Sequence, residues 1–138
     1  MVDDILKKYP NDVKVVLKNF PLSFHKQAMQ AAKYVLAAKN QGKYDELYHS
    51  VMENYRQLKT NEELPLQLAG ELGLDVEQLK RDADSPAIEN QIQTEMNELK
   101  NSGIPRMSVP KFLINGKEPQ GRNIDAFSAV IEAELKKK

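Results

Sequence analysis

The clearest strand and turn signals of the sequence lie in the segment Val109-Pro110-Lys111-Phe112-Leu113-Ile114-Asn115-Gly116. Its apolar run, residues 112–114, favours a β-strand. Asn115-Gly116 suits a two-residue type I′ turn, because both central positions of that turn need positive φ. Pro110 stands where the strand begins, a place where a missing N–H is tolerated. A helical pattern follows over residues 123–136, so the chain is predicted to end in a strand, a hairpin turn and a helix.

The earlier part of the chain is predicted to contain one more strand and several helices. Residues 2–8 have the pattern of a helix end, and residues 13–20 are rich in β-branched side chains up to the terminating Pro21, which favours a strand. Apolar residues then recur at helical spacing in a set of segments, 28–42, 47–58 and 60–73. Asp75 and Ser85 are predicted to cap two further helices.

Composition and charge restrict the class of protein. The 138 residues carry 20 basic and 20 acidic side chains, so the formal net charge is zero. A balanced charge disfavours binding to nucleic acid or to an anionic membrane surface. The sequence shows neither an apolar run of membrane-spanning length nor the pattern of a signal peptide. It contains no cysteine, which excludes disulfides, thiol catalysis and cysteine-based metal sites within these residues.

Three stretches in order resemble the DsbA-like family of thiol:disulfide oxidoreductases. They are the Val-Pro strand with its Asn-Gly hairpin, the segment Lys18-Asn19-Phe20-Pro21-Leu22-Ser23-Phe24-His25, and the turn Ala69-Gly70-Glu71-Leu72-Gly73-Leu74-Asp75. The resemblance implies an α/β (α+β) protein, a thioredoxin-like fold with an inserted helical domain. Residues 1–22 and 103–138 are then expected to form a partial thioredoxin core, and residues 23–102 the helical insertion, together one compact unit.

The family performs disulfide exchange with a Cys-x-x-Cys motif in its first helix. By the resemblance, that motif and the first, central strand would fall before Met1, so we expect an N-terminally incomplete fold. Because the thiolate is the nucleophile, these residues are expected to be redox-inactive and to hold no catalytic residue. Two alternatives stay open: a non-catalytic module that self-associates or binds peptides, and a remnant of the glutathione-using branch, whose reactive serine would also lie upstream.

The resemblance also predicts a substrate groove at Val109 and Pro110. In the family this Val-Pro bond is cis and holds the substrate backbone. No cofactor and no metal are expected, because His25 and His49 are the only histidines and are too far apart in sequence for a local metal motif.

The family further implies protein or peptide substrates and a location outside the cytoplasm, in the bacterial periplasm. Without the central strand, the strands at 13–20 and 111–114 would each lack a neighbour. These two strands could pair directly with each other, pair with a segment upstream of Met1, or pair with a second copy of the chain. We expect a homodimer with residues 1–20 in its interface, because open edges invite pairing. The core predicted beneath the hairpin consists of Phe112, Ile114, Phe127, Val130 and Ile131.

Overall fold

The computed structural model describes residues 1–105 and 108–138, and helices account for most of them. About 60% of the residues are helical and about 1% lie in strand geometry. The α-helices in the described ranges are α1 (Val2–Lys8), α2 (Lys26–Ala37), α3 (Tyr44–Glu53), α4 (Leu64–Glu71), α5 (Val76–Ala83), α6 (Pro86–Lys100) and α7 (Ile124–Leu135). Short 3-10 helices cover Ala38–Gln41 and Tyr55–Lys59.

Local capping chemistry sets where several helices begin. The Asp75 carboxylate accepts a hydrogen bond from the Gln78 N–H at 3.0 Å, and the Ser85 hydroxyl accepts one from Ile88 at 3.4 Å. The Asn123 side chain accepts from the Ala126 N–H at 2.8 Å. Each bond satisfies an N–H that has no partner within its own helix. The sequence-based prediction that Asp75 and Ser85 act as caps is confirmed.

The structure divides into two compact units. The terminal unit comprises Met1–Leu17 and Pro105–Lys138, and the central unit comprises Lys18–Ile104. The domain boundaries predicted from the sequence, at 22/23 and 102/103, stay a prediction beside these observed divisions at 17/18 and 104/105.

The central unit is built on a helical core. Helix α2 packs against α5 and α6, and α3 packs against α4. The side chains of Leu47, Leu79 and Ile92 are fully buried in this core. Because helices satisfy their backbone groups internally, this unit needs only side-chain packing to hold its parts together.

The terminal unit has a smaller core, in which α1 contacts α7. Its buried members are Ile5, Tyr9, Phe127 and Ile131. Val13, Phe112, Ile114 and Leu135 pack against them and are partly buried. Phe112 meets Phe127 edge to face, with 5.1 Å between ring centroids. Four of the five predicted core residues are therefore confirmed, whereas Val130 is half-buried and lies outside this cluster.

The prediction of an α/β fold is wrong, because the described residues form no sheet. Residues 13–20 carry no helix, strand or turn assignment. Within the described ranges, the backbone of residues 14–18 makes no backbone–backbone hydrogen bond. A strand exists only when a neighbour pairs its N–H and C=O groups, so β propensity alone leaves this segment as extended coil.

The predicted hairpin is right in its turn and wrong in its strands. Asn115 and Gly116 both have positive φ, 49° and 81°, as a type I′ turn requires. Ile114 and Lys117 exchange both backbone hydrogen bonds, at 2.8 and 3.0 Å, and form an isolated bridge. Pro110 and Pro119 lack an N–H and flank this bridge on either side, which limits the length of any ladder.

Candidate functional site at the Pro110 loop

The residues predicted to line a substrate groove lie on a surface loop of the terminal unit. The Val109–Pro110 peptide bond is cis. Pro110 is exposed and Val109 is half-buried. The Arg122 guanidinium donates a hydrogen bond to the Pro110 carbonyl, Nη2 to O at 3.0 Å. Arg122 precedes the cap of α7, so this bond ties the loop to the start of the terminal helix.

Two further contacts fix the loop from below. Lys111 Nζ lies 2.8 Å from both carboxylate oxygens of Glu118. The Lys111 side chain is only 8% exposed, whereas that of Glu118 is 55% exposed. The lysine is therefore buried beneath the loop, and its partner faces solvent. The Phe112 ring packs on Phe127 of α7. These contacts therefore fix the position of the backbone at Val109 and Pro110.

The cavity under the loop is too small for an organic ligand. It has a volume of about 20 Å³ and is lined by Pro110, Phe112, Glu118, Pro119, Gly121, Arg122 and Phe127. That volume holds about one water molecule. Any ligand of appreciable size would therefore lie across the outer surface of the loop, where Pro110 is exposed.

A charged cluster holds the hairpin turn against the end of α7. Glu134 accepts hydrogen bonds from Lys117, from Lys137 at 2.7 Å and from Asn115 at 3.4 Å. Hydrogen bonds from Lys117 first, then from Lys137 and Asn115, lower the pKa of Glu134 from 4.5 to about 2. The cluster keeps this carboxylate ionised and links the turn to the terminal helix.

The chemistry available in these residues does not include a thiol, since the sequence contains no cysteine. His25 and His49 are both exposed. The His25 ring is tilted against the Phe24 ring, with 4.5 Å between centroids, and His49 Nδ1 lies 2.8 Å from the Asp45 carbonyl oxygen. In residues 1–105 and 108–138, no group of three acidic or histidine side chains is placed to hold a metal ion.

A buried carboxylate in the central unit was not singled out by the sequence analysis. Glu95 of α6 is 8% exposed. Its Oε2 accepts both the backbone N–H and the side-chain amide of Asn19, each at 2.8 Å. Its Oε1 accepts from Gln91 at 3.2 Å. Glu95 follows the buried Ile88 and Ile92 at spacings of seven and three residues, so the three share one face of α6. A charged residue at such a position is the signal that could have found it.

Glu95 also influences its surroundings. Burial raises the pKa of Tyr44, and the negative charges of Tyr48, Glu95 and Asp45 raise it further.

One residue before Asn19, Lys18 forms an exposed ion pair with Glu98 at 2.9 Å. Lys18 and Asn19 thus both contact side chains of α6, Glu98 and Glu95 respectively.

The comparison with protein families decides the affiliation. A model described as DSBA-like thioredoxin domain matches residues 1–132, nearly the whole chain. The chain belongs to the DSBA-like thioredoxin domain family. The resemblance drawn from the hairpin, the segment 18–25 and the turn 69–75 is thereby confirmed, and the absence of cysteine agrees with a chain that lacks the family's Cys-x-x-Cys.

A relative found among curated proteins is the Na(+)/H(+) antiporter NhaA of Herminiimonas arsenicoxydans, 32% identical over 133 residues. The alignment covers 95% of this chain and 20% of that protein, so the chain spans about one fifth of the length of the curated relative it matches. No solved structure matches this chain.

The DSBA family is generally extracytoplasmic. In the part of the chain that the structure describes, none of the helices combines the length and the apolarity needed to cross a bilayer.

Proposed function

We propose that these residues form the substrate-binding, non-catalytic part of a DsbA-like protein disulfide oxidoreductase. The observation that carries the proposal is the combination of family membership with a complete lack of cysteine. Thiol–disulfide exchange begins with attack by a thiolate, so these residues have no group that can perform it. What they retain of the family's site is the braced loop at Val109 and Pro110.

The loop offers backbone groups to an extended peptide. In the described part of the chain, no hydrogen bond uses the backbone N–H or C=O of Val109. Peptide recognition by extended backbone depends on such open groups, with the main chain supplying affinity. The Pro110 carbonyl already accepts a hydrogen bond from Arg122. The backbone N–H and C=O of Val109 are therefore the groups that pair with the peptide.

The periplasm stays our proposed location, since it is a compartment in which disulfides form. Antiport is not carried over from the relative, because the alignment covers only one fifth of that protein.

An insulin reduction assay with dithiothreitol tests the absence of redox chemistry. The chain should give no turnover above the uncatalysed background, and a cysteine-containing thioredoxin serves as the positive control. Turnover above background would overturn this half of the proposal.

Peptide binding is tested separately, with fluorescence anisotropy of labelled, carboxymethylated insulin B chain. Val109→Pro removes the backbone N–H, and we expect it to weaken binding about tenfold, the loss of roughly one backbone hydrogen bond. Val109→Ala keeps the N–H and should bind within about twofold of the unchanged chain. If neither the unchanged chain nor the alanine variant binds, the loop is not a peptide site.

A further inference from the structure

Residues 13–17, the open segment, belong to the terminal unit and carry no helix, strand or turn assignment. In the described ranges, no backbone–backbone hydrogen bond involves residues 14–17. Val15, Val16 and Leu17 are 37%, 64% and 38% exposed. A run of free N–H and C=O groups flanked by apolar side chains is a template for strand pairing.

The open segment has two different faces. Side chains of an extended chain alternate, so Val13, Val15 and Leu17 share one face, and Lys14 and Val16 share the other. Val13 packs on the core of the terminal unit. Consistent with this, Val15 and Leu17 are less exposed than Val16.

We propose that the open segment pairs with the open segment of a second copy of this chain, antiparallel about a two-fold axis through Val15. In this register Val15 lies opposite Val15, Val13 lies opposite Leu17, and Lys14 lies opposite Val16. The aliphatic faces of both copies then lie on the same side of the two-stranded ribbon. The proposal concerns a surface separate from the Pro110 loop and does not depend on peptide binding there.

The charges and the alternating side chains of the open segment favour this register over registers shifted by one or two residues. A shift by one residue would place the aliphatic face of one copy beside the lysine face of the other. A shift by two residues would place Lys14 opposite Lys14, or Lys14 opposite Lys18, and like charges directly opposite are destabilising. The proposed register has no such conflict.

These features match the open segment to itself. A two-fold interface requires that the same patch complement itself, and the aliphatic triplet Val13, Val15 and Leu17 meets that requirement. The zero net charge adds no general repulsion between copies. A ribbon of this length buries little area, so we expect a weak dimer, in the range of about 10 to 500 µM.

Single cysteines test the register, because the chain has no cysteine of its own. Val15→Cys places two thiols directly opposite each other, at about 4.5–5.5 Å between Cα atoms, within disulfide reach. Val16→Cys places them on a diagonal, at about 8 Å, beyond that reach. We expect the intermolecular disulfide of Val15→Cys to form about tenfold faster under mild oxidation. Random collision predicts the opposite order, since Val16 is the more exposed residue.

Charge substitutions at Val16 provide a second readout without cysteine. Val16→Glu creates two Glu–Lys14 pairs across the ribbon and should tighten the dimer about 2- to 30-fold relative to Val16→Gln. Val16→Lys creates two like-charge pairs and should weaken it. Sedimentation across a dilution series measures the association, and helical circular dichroism verifies the fold of each variant.

Any of three results would overturn the proposal. One is disulfide formation by Val16→Cys as fast as, or faster than, by Val15→Cys. Another is a monomer at every concentration up to about 1 mM, which would leave the open segment to an extended chain other than this one. Weakening by both Val16→Glu and Val16→Lys would likewise contradict the register, because it would place Val16 opposite Val16.

Discussion

The central and terminal units satisfy their backbone in different ways. In the central unit most residues lie in helices, whose N–H and C=O groups pair within the same segment. The terminal unit combines α1 and α7 with an extended segment and a one-bridge turn. Helical structure needs only local sequence and a packed face, whereas extended structure needs a neighbouring strand. The difference explains why one unit closes on itself while the other leaves residues 14–17 open.

The largest expected effect tests the small core of the terminal unit. Phe127 is 5% exposed and packs edge to face on Phe112. Phe127→Ala should therefore lower the free energy of unfolding by about 3–5 kcal/mol. Urea denaturation followed by circular dichroism measures the loss. Val130→Ala is the matched control and should cost clearly less, since Val130 is half-buried. A loss below about 1 kcal/mol for Phe127→Ala would show that α7 docks elsewhere.

The next effect concerns the buried carboxylate of Glu95 in the central unit. Glu95→Leu removes the acceptor for both hydrogen bonds from Asn19. We expect a loss of about 1–3 kcal/mol in urea denaturation, because the Asn19 N–H is left without a partner. Glu98→Leu makes the same change three residues further along α6, where the ion pair with Lys18 is exposed, and it should cost much less. Equal losses would mean that Glu95 acts only through its charge.

Replacement of glycine by alanine should lower stability at one position of the terminal unit and raise it at one position of the central unit. Gly116 has φ +81° with no atom within 4 Å of an added Cβ, so Gly116→Ala should cost about 1–2 kcal/mol through backbone strain alone. Gly70 lies in α4, where an added Cβ meets Val76 at an ordinary 3.8 Å. Gly70→Ala should stabilise by about 0.4–1 kcal/mol. Thermal denaturation of the pair gives both values. A stabilising Gly116→Ala would contradict the turn geometry, and a destabilising Gly70→Ala would contradict the free space beside Val76.

The smallest effect is the pH dependence of the Glu134 cluster. Its pKa is lowered from 4.5 to about 2 in the folded chain, so the carboxylate stabilises the fold above its unfolded pKa. That contribution is lost as the pH falls from about 4.5 through about 2. Glu134→Gln should therefore be less stable than the unchanged chain near neutral pH, and the difference should vanish near pH 2. A difference that stays constant across this range would exclude the titration of Glu134 as its cause.

The features that the sequence predicted correctly are those with a local cause. Asp75 and Ser85 cap helices because their side chains reach an N–H three residues away. Asn115-Gly116 adopts its turn because of its own φ preferences. The family could also be predicted, from short motifs whose order is preserved.

The features that the sequence analysis missed depend on distant partners. The residues 13–20 have a strand's composition but find no strand to pair with in the described structure. Glu95 becomes important only through Asn19, 76 positions away. Arg122 supports the Pro110 loop across 12 positions, and nothing in the residues around it marks that role. The substrate groove at Val109 and Pro110 stays a prediction.

Native-state amide hydrogen exchange at low protein concentration reports directly on whether the backbone of residues 14–17 is unpaired. The amides of these residues should exchange within about tenfold of the unprotected rate, whereas the core amides of α2, α5 and α6 should be protected by about 10³-fold or more. Raising the concentration should slow exchange in residues 14–17 and leave the helices unchanged. Protection of residues 14–17 equal to that of α6 at low concentration would contradict the account, because it would show that the segment is paired within a single chain.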